Sequence, residues 1–208
     1  MNQQKLISPL VLRGKRLVLK KLSEIASVGA GQTFRAKAES AVGDVRLLQI
    51  KDIREGYFSD IQKLPFASIS SDILKINLST DDIVLPLRGD RVAAMILKND
   101  EKYFITTTNQ VAVITVNKEI ALPEYVMYYI NSSEGKRKIS ELKSGGLISN
   151  LSIKLLSIIE IPVPTFDIQR KVLSLYNNWI YQKDIMYEMI ENGDGLCESV
   201  CRKLISGK

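Results

Sequence analysis

Nucleophiles, general bases and metal ligands are the residues that could do chemistry, and this sequence of 208 residues contains no histidine. That removes Cys-His and Ser-His-Asp nucleophile systems, imidazole metal sites and the commonest general base together. Cys197 and Cys201 stand four apart near the C-terminus; on a helix they share a face without disulfide geometry, and they read as reduced packing residues. GAGQTF (29–34) keeps only two glycines of a dinucleotide fingerprint and follows no clear strand. KSGGLIS (143–149) lacks the Gly-Lys-Ser ending of a phosphate loop, so ordinary turns explain both better. Asp81–Asp82 and Ser71–Asp72 read as helix caps or solvated turns ahead of a metal site. No catalytic constellation emerges, and the expectation is a chain with no cofactor and no metal.

The cations carry more information. Lys and Arg total 29 against 23 Asp and Glu, a formal charge of +6, which favours a polyanionic partner: nucleic acid first, an acidic protein surface second. Basic residues gather where loops are expected: Arg35 with Lys37, Lys51 with Arg54, Arg88 with Arg91, Lys98 with Lys102, then Lys136, Arg137, Lys138 and Lys143. Any one of them reads best as solvated surface; only their joint location on one side makes a duplex footprint. Arg88 and Arg91 belong to an expected hairpin tip between two buried runs, a rigid support that suits bidentate reading of guanine, and Arg35 follows a glycine turn in a similar way. Base or phosphate contacts are therefore expected from Arg35, Lys37, Lys51, Arg54, Arg88, Arg91 and Lys143. Gln32, Gln49, Asn109 and Gln110 carry the groups that pair with adenine edges, although a structural role at a sheet corner suits them at least as well. Tyr57 and Phe58 read as core ahead of a contact to a thymine methyl.

Strands and helices must hold these loops. Residues 1–13 read as a loose arm. LVLKKLSEIASV (17–28) predicts a strand then a helix, and VRLLQI (45–50) a buried strand. DIVLPLRGDRVAAMIL (82–97) gives two strand-like runs broken at Arg88, Gly89 and Asp90, the pattern of a hairpin, and YFITTTNQVAVITV (103–116) adds two more β-prone pieces. The centre is thus expected to be a curved, mixed but mainly antiparallel sheet. From Pro123 the composition turns helical: PEYVMYYINS and EGKRKISEL predict a short helical pair, and SIKLLSIIEIPVP (152–164) a helical turn followed by a strand. No apolar run approaches the roughly 20 residues of a membrane span, and the opening segment lacks the pattern of a signal peptide, so a cytoplasmic location without membrane contact is expected.

After Pro164 one long helix is predicted, with Asp167 as its cap. Ile168, Val172, Leu175, Trp179, Met186, Met189, Leu196 and Val200 largely follow alternating steps of four and three, the pattern of a coiled-coil seam, and they form the expected dimer interface. Gly193–Asp194–Gly195 is the expected point at which the rod ends or kinks. The boundaries that follow are a globular domain over 1–165 and a dimerisation helix over 166–208.

The order LSEIASVGAGQTFR, LLQIKDI, DDIVLPLRGD, TTTNQVAVI, LPEYVMYYINSSEGKRKI and SGGLISNLSIKLLSIIEIPVPTFDIQRKV resembles the target recognition domain of type I restriction-modification specificity subunits, from Leu22 onward. The most specific stretch is IEIPVPTFDIQRKV with the helix that follows. The resemblance implies an α+β domain with flanking helices and a long C-terminal coiled-coil helix. It also implies a non-catalytic role: binding double-stranded DNA at one half of a split site and docking a methyltransferase subunit, with a motor-nuclease subunit as a further partner. In that family full-length subunits carry two recognition domains and two antiparallel helices; LRGKRL (12–17) against LRGDRV (87–92) is too short to be a duplicated domain, so this sequence resembles a half-size form. A homodimer is then expected, with another specificity chain as the other possible mate. The rival expectation is an adaptor of the same descent that dimerises and binds protein without reading DNA.

Overall fold

The computed structural model describes residues 18–58, 60–99, 103–143 and 150–207. The expected N-terminal arm, Leu17, Lys102 and the SGGLIS turn lie outside them. The chain falls into two units, Met1–Pro164 and Thr165–Lys208.

The first unit opens with β1 (Leu19–Lys21), the one-turn helix α1 (Leu22–Ile25) and β2 (Ala26–Ala30). Leu22 and Ile25 are fully buried, and Glu24 accepts a hydrogen bond from the Lys21 backbone at 2.6 Å, which closes the helix start. Then come β3 (Glu39–Ser40), β4 (Val45–Leu48), β5 (Gly56–Phe58) and β6 (Phe66–Ala67). After these follow β7 (Ile83–Pro86), β8 (Met95–Leu97), β9 (Phe104–Thr107) and β10 (Val111–Val116). The expected 82–97 hairpin is present: Ile83 lies opposite Ile96 and Val84 opposite Met95. Its connection is tighter than its length suggests, because Leu87, Val92, Ala93 and Ala94 are buried and only residues 88–91 project.

The pairing is mixed and mainly antiparallel, but the strands separate into a five-stranded sheet in the order β2-β10-β7-β8-β5, a four-stranded sheet β3-β6-β4-β9, and a later two-stranded ribbon. Two contacts are parallel, β4 with β9 and β5 with β8. The split arises at the corner between β9 and β10, where the chain leaves one sheet for the other. The exit of β2 pins that corner: Gly31 N donates to Val111 O (3.0 Å), Gln32 N to Thr107 O (2.7 Å) and Asn109 N to Gln32 O (3.0 Å). Gly31 is required here, since a Cβ would sit 2.5 Å from Thr108 O and 2.6 Å from Thr107 O. Between the sheets lies a core that includes Leu48, Ile53, Leu64, Val84, Met95, Leu97, Ile105 and Val111.

Pro123 opens α2 (Pro123–Asn131), where its missing N–H costs nothing, and α3 (Ser133–Lys143) follows. The buried amide of Asn131 mimics a strand neighbour: Oδ1 accepts from Ala94 N at 2.7 Å and Nδ2 donates to Ala94 O at 2.8 Å, tying α2 to the return of the hairpin. In α3 the residues Gly135, Ile139 and Lys143, four apart, are the buried face. Then α4 (Ile153–Ser157) leads to β11 (Glu160–Pro162), which pairs antiparallel with β1 to form the ribbon.

The second unit is α5 (Phe166–Ser206), a single helix of 41 residues and so about 60 Å long, ended by Gly207 in the left-handed conformation (φ 65°). Gly193–Asp194–Gly195 does not interrupt it: two glycines cost about 1 kcal/mol each, too little to break a rod with helix formers on both sides. Nor does Asp167 cap it. Thr165 holds the N-cap position, and Asp167, in the first turn, instead pairs with Arg170 at 2.6 Å while facing the positive end of the helix dipole. Of the expected seam, Leu175, Trp179, Met186, Met189, Leu196 and Val200 are exposed, whereas Ile168 and Val172 are half-buried. Cys197 and Cys201 are free and exposed, not packing residues.

Candidate nucleic-acid interface

The site is built outward from the carbonyl of Ile53. Gln49 precedes a single turn of 3-10 helix, Ile50–Asp52, which Asp52 closes by accepting the Gln49 N–H at 2.9 Å. This turn sets Lys51 and Arg54 on the surface and leaves Ile53 fully buried in the core. Arg54 Nη1 donates to Lys51 O (2.6 Å) and to Ile53 O (2.9 Å). From the hairpin, Arg91 Nη2 donates to the same Ile53 oxygen. Two guanidinium groups therefore converge on one backbone acceptor. Each keeps further N–H donors, and their mutual repulsion would be relieved by an anion between them.

The tip that carries Arg88 and Arg91 is held from behind. Gly89 turns it with φ 81°, a conformation that favours glycine. Lys143, expected as one of the exposed cations, is instead buried at the end of α3, where its ammonium donates to Gly89 O (2.9 Å) and Arg91 O (3.3 Å). Burial pushes this ammonium below the usual lysine range, with the charge of Asp90 acting in opposition. Leu151 N donates to Leu87 O at 2.8 Å, and Arg88 and Asn150 form an isolated antiparallel bridge, so main-chain bonds secure the other flank. The Arg88 side chain is exposed and makes no hydrogen bond or ion pair with any described residue.

A second arm approaches from residues 35–39. Phe34 packs against Val45, Leu47 and Ala67, and Ser68 fixes the loop through Oγ to Lys37 O (2.6 Å) and N to Ala38 O (2.7 Å). Glu39 joins it to the first arm, since it lies 3.6 Å from Lys51 Nζ and accepts from Gln49 Nε2 at 3.2 Å. Arg35 and Lys37 are exposed and unpaired among the described residues. Lys51, Arg54 and Arg91 are thus brought together beside Arg88, Lys37 lies two residues from the Glu39 link, and Lys143 is set behind the group as a support.

Other cations are committed elsewhere. Lys98 bridges Asp81 (2.5 Å) and Glu124 (3.1 Å); burial works against its charge, but those hydrogen bonds outweigh it and hold its pKa above the ordinary value. Lys136 pairs with Glu55, Arg137 with Glu141 and Lys138 with Glu134. Arg46, not singled out from the sequence, stacks 4.1 Å over the Phe66 ring and donates to Leu64 O, an internal staple. Of the amide residues, Gln32 is buried at the sheet corner, Gln49 is tied to Glu39, Asn109 is exposed and Gln110 half-buried. Phe58 packs on the core as expected; Tyr57 does not, and lies exposed with Lys98 Nζ 5.7 Å from its ring. Among the described residues no group of three His, Cys, Asp or Glu could hold a metal ion, and no helix is long and apolar enough to cross a membrane.

The family model described as type I restriction modification DNA specificity domain matches residues 15–190. Solved structures share the fold, among them the following three. A chain of a type I R-M system, studied for complex assembly and conformational transition, is 15% identical with a TM-score of 0.59, over 83% of this chain and 41% of that one. The HsdS subunit from Thermoanaerobacter tengcongensis is 15% identical with a TM-score of 0.56, over 80% of this chain and 37% of that one. The type I restriction-modification S subunit from M. genitalium is 16% identical with a TM-score of 0.55, over 94% of this chain and 47% of that one. This chain therefore spans less than half the length of each. No curated protein matches.

Proposed function

The chain belongs to the type I restriction modification DNA specificity domain family, and on that premise we propose that it binds double-stranded DNA and reads one half-site of a split target. The convergence of Arg54 and Arg91 on Ile53 O, next to the projecting Arg88 and Lys51, carries the reading. Phosphates set the register at the converged pair and at Lys51, Lys37 and Arg35, while Arg88, presented on a pinned turn, reaches base edges. Methyl transfer and cleavage reside in partner subunits. The chain docks a methyltransferase subunit and, through it, a motor-nuclease subunit, and acts in the cytoplasm. A second copy, paired through α5, supplies the other half-site, so that the helix sets the gap between inverted identical half-sites.

The test is a titration of fluorescently labelled duplex, with the methyltransferase subunit present and absent, at two salt concentrations. Phosphate contacts predict a steep loss of affinity with salt. No measurable binding in either condition would replace this reading with the adaptor that dimerises and binds protein without DNA.

A further inference from the structure

We infer that Asn109 reads an adenine lying within two base pairs of the guanine contacted by Arg88; this rests on the half-site reading proposed above. The two residues come together at one end of the five-stranded sheet. There β7 and β10 pair antiparallel with Val111 opposite Pro86, and the ladder runs on as Leu87 N donates to Gln110 O at 2.8 Å. One step further, the same register sets Asn109 across from Arg88, and both are exposed. Directly opposed residues of an antiparallel pair have Cα atoms about 4.5–5.5 Å apart and project their side chains to one face.

The main chain of Asn109 is held as firmly as that of the hairpin tip. Val111 N donates to Thr108 O (3.0 Å) to close the turn, and Asn109 N donates to Gln32 O (3.0 Å). The side chain takes no part in this. Elsewhere in the first unit asparagine amides serve the fold: Asn77 Oδ1 accepts from Ile105 N, Asn99 Nδ2 donates to Tyr103 O, Asn117 Oδ1 accepts from Glu119 N, and Asn131 bonds both main-chain groups of Ala94. Asn109 makes no side-chain hydrogen bond to any described residue. It therefore presents a donor and an acceptor together from a rigid support.

That pair of groups selects the base. In the major groove adenine offers an acceptor, N7, beside a donor, N6–H; guanine offers two acceptors, cytosine a donor, and thymine an acceptor with a methyl group. Only adenine uses both groups of the amide at once. Phosphate is the poorer match, because Thr108, Asn109 and Gln110 carry no charge and the cations Lys51, Arg54 and Arg91 stand ready for it. Base pairs rise by about 3.4 Å, so supports about 5 Å apart address bases one or two pairs apart.

The experiment is selection from a pool of labelled duplexes with a randomised segment, using the full chain with the methyltransferase subunit, followed by titration of the enriched duplex and its single-base variants. The expected wild-type motif holds an A·T pair one or two positions from a G·C pair. Asn109→Ala should lower the preference for that A·T pair by about 5- to 100-fold, keep the preference for the G·C pair and leave the salt slope unchanged. Asn109→Asp keeps the shape and accepts from cytosine N4–H but cannot donate to adenine N7, so it should move the preference from adenine to cytosine. An unchanged motif for Asn109→Ala, adenine retained by Asn109→Asp, or equal losses on every duplex would each overturn the inference while half-site reading stands on the wild-type motif. A wild type that binds the pool without enriching any motif removes both, and absence of binding removes DNA recognition altogether.

Discussion

The ammonium of Lys143 donates to the carbonyl oxygen of Gly89 at 2.9 Å, across 54 positions of sequence, so the end of α3 holds the hairpin tip by its main chain. A hydrogen bond from a charged donor contributes about 1.5–3 kcal/mol, and the cost of burying the ammonium offsets part of it. Lys143→Met should therefore lower the unfolding free energy by about 1–2 kcal/mol, read from urea midpoints. Because the folded pKa is depressed, the unfolded chain binds more protons at this position in the window just below 10.5. The stability advantage of the wild type over Lys143→Met should thus grow as pH rises through that window; a shrinking advantage would contradict the burial argument.

Asp81 sits in the left-handed region (φ 74°) and accepts from both Lys98 and Lys118 (2.7 Å). Burial raises its pKa, but the hydrogen bonds and charges of Lys118 and Lys98 outweigh it and leave the carboxyl below the ordinary 3.8. Its contribution is then present above that value and lost as pH falls through the lower folded pKa. Asp81→Asn keeps a residue that tolerates this backbone and removes the charge. The expected outcome is a loss of about 1 kcal/mol at neutral pH and a flatter acid limb in unfolding measured from pH 5 to pH 2.

At the β9–β10 corner, Gly31→Ala drives a methyl group against the backbone oxygens of Thr107 and Thr108. Neither oxygen is the far end of a flexible side chain. Overpacking of this kind costs about 1–3 kcal/mol or more, and denaturant unfolding should show it as a lowered midpoint.

Arg88→Ala should cost about 1–3 kcal/mol against the cognate duplex and little against random DNA, whereas Arg54→Ala should weaken both alike and reduce the salt slope by about one. Equal losses on both duplexes for Arg88→Ala would make it another phosphate contact.

Gly195 lies on α5 away from the seam, and a Cβ there meets nothing within 4 Å. Gly195→Ala should stabilise the helix by about 0.5–1 kcal/mol without altering the association constant, measured by circular dichroism melting and sedimentation together.

Apolar patterning made much of the fold legible. Ile83–Pro86 and Val111–Val116 announce buried strands, Pro123 a helix start, and the run after Pro164 a long helix. What stayed hidden depends on contacts between distant residues. Nothing local in Phe104–Thr107 shows that β9 pairs parallel with β4 while its immediate successor, β10, joins another sheet. At the candidate site the loops were legible because breakers and cations coincide there, but the use of Ile53 O by both Arg54 and Arg91 was not, since a carbonyl has no sequence signature. Lys143 did leave a trace: it falls four residues after Ile139 and eight after Gly135, on the buried face of α3. Asn131, a polar residue on the apolar side of α2, left a similar one.

The hairpin tip is fastened through its backbone at Leu87, Gly89 and Arg91 and through the Arg91 side chain on Ile53 O, with the charge of Asp90 supporting the Lys143 ammonium, while the Arg88 side chain takes no part in the fastening. Position 88 is therefore free to vary without loosening its mount, provided Gly89 is kept. Under the proposed reading of DNA by this tip, a change of target needs no redesign of the scaffold: drift at one surface letter acts at the contact, and the frame behind it carries over unchanged.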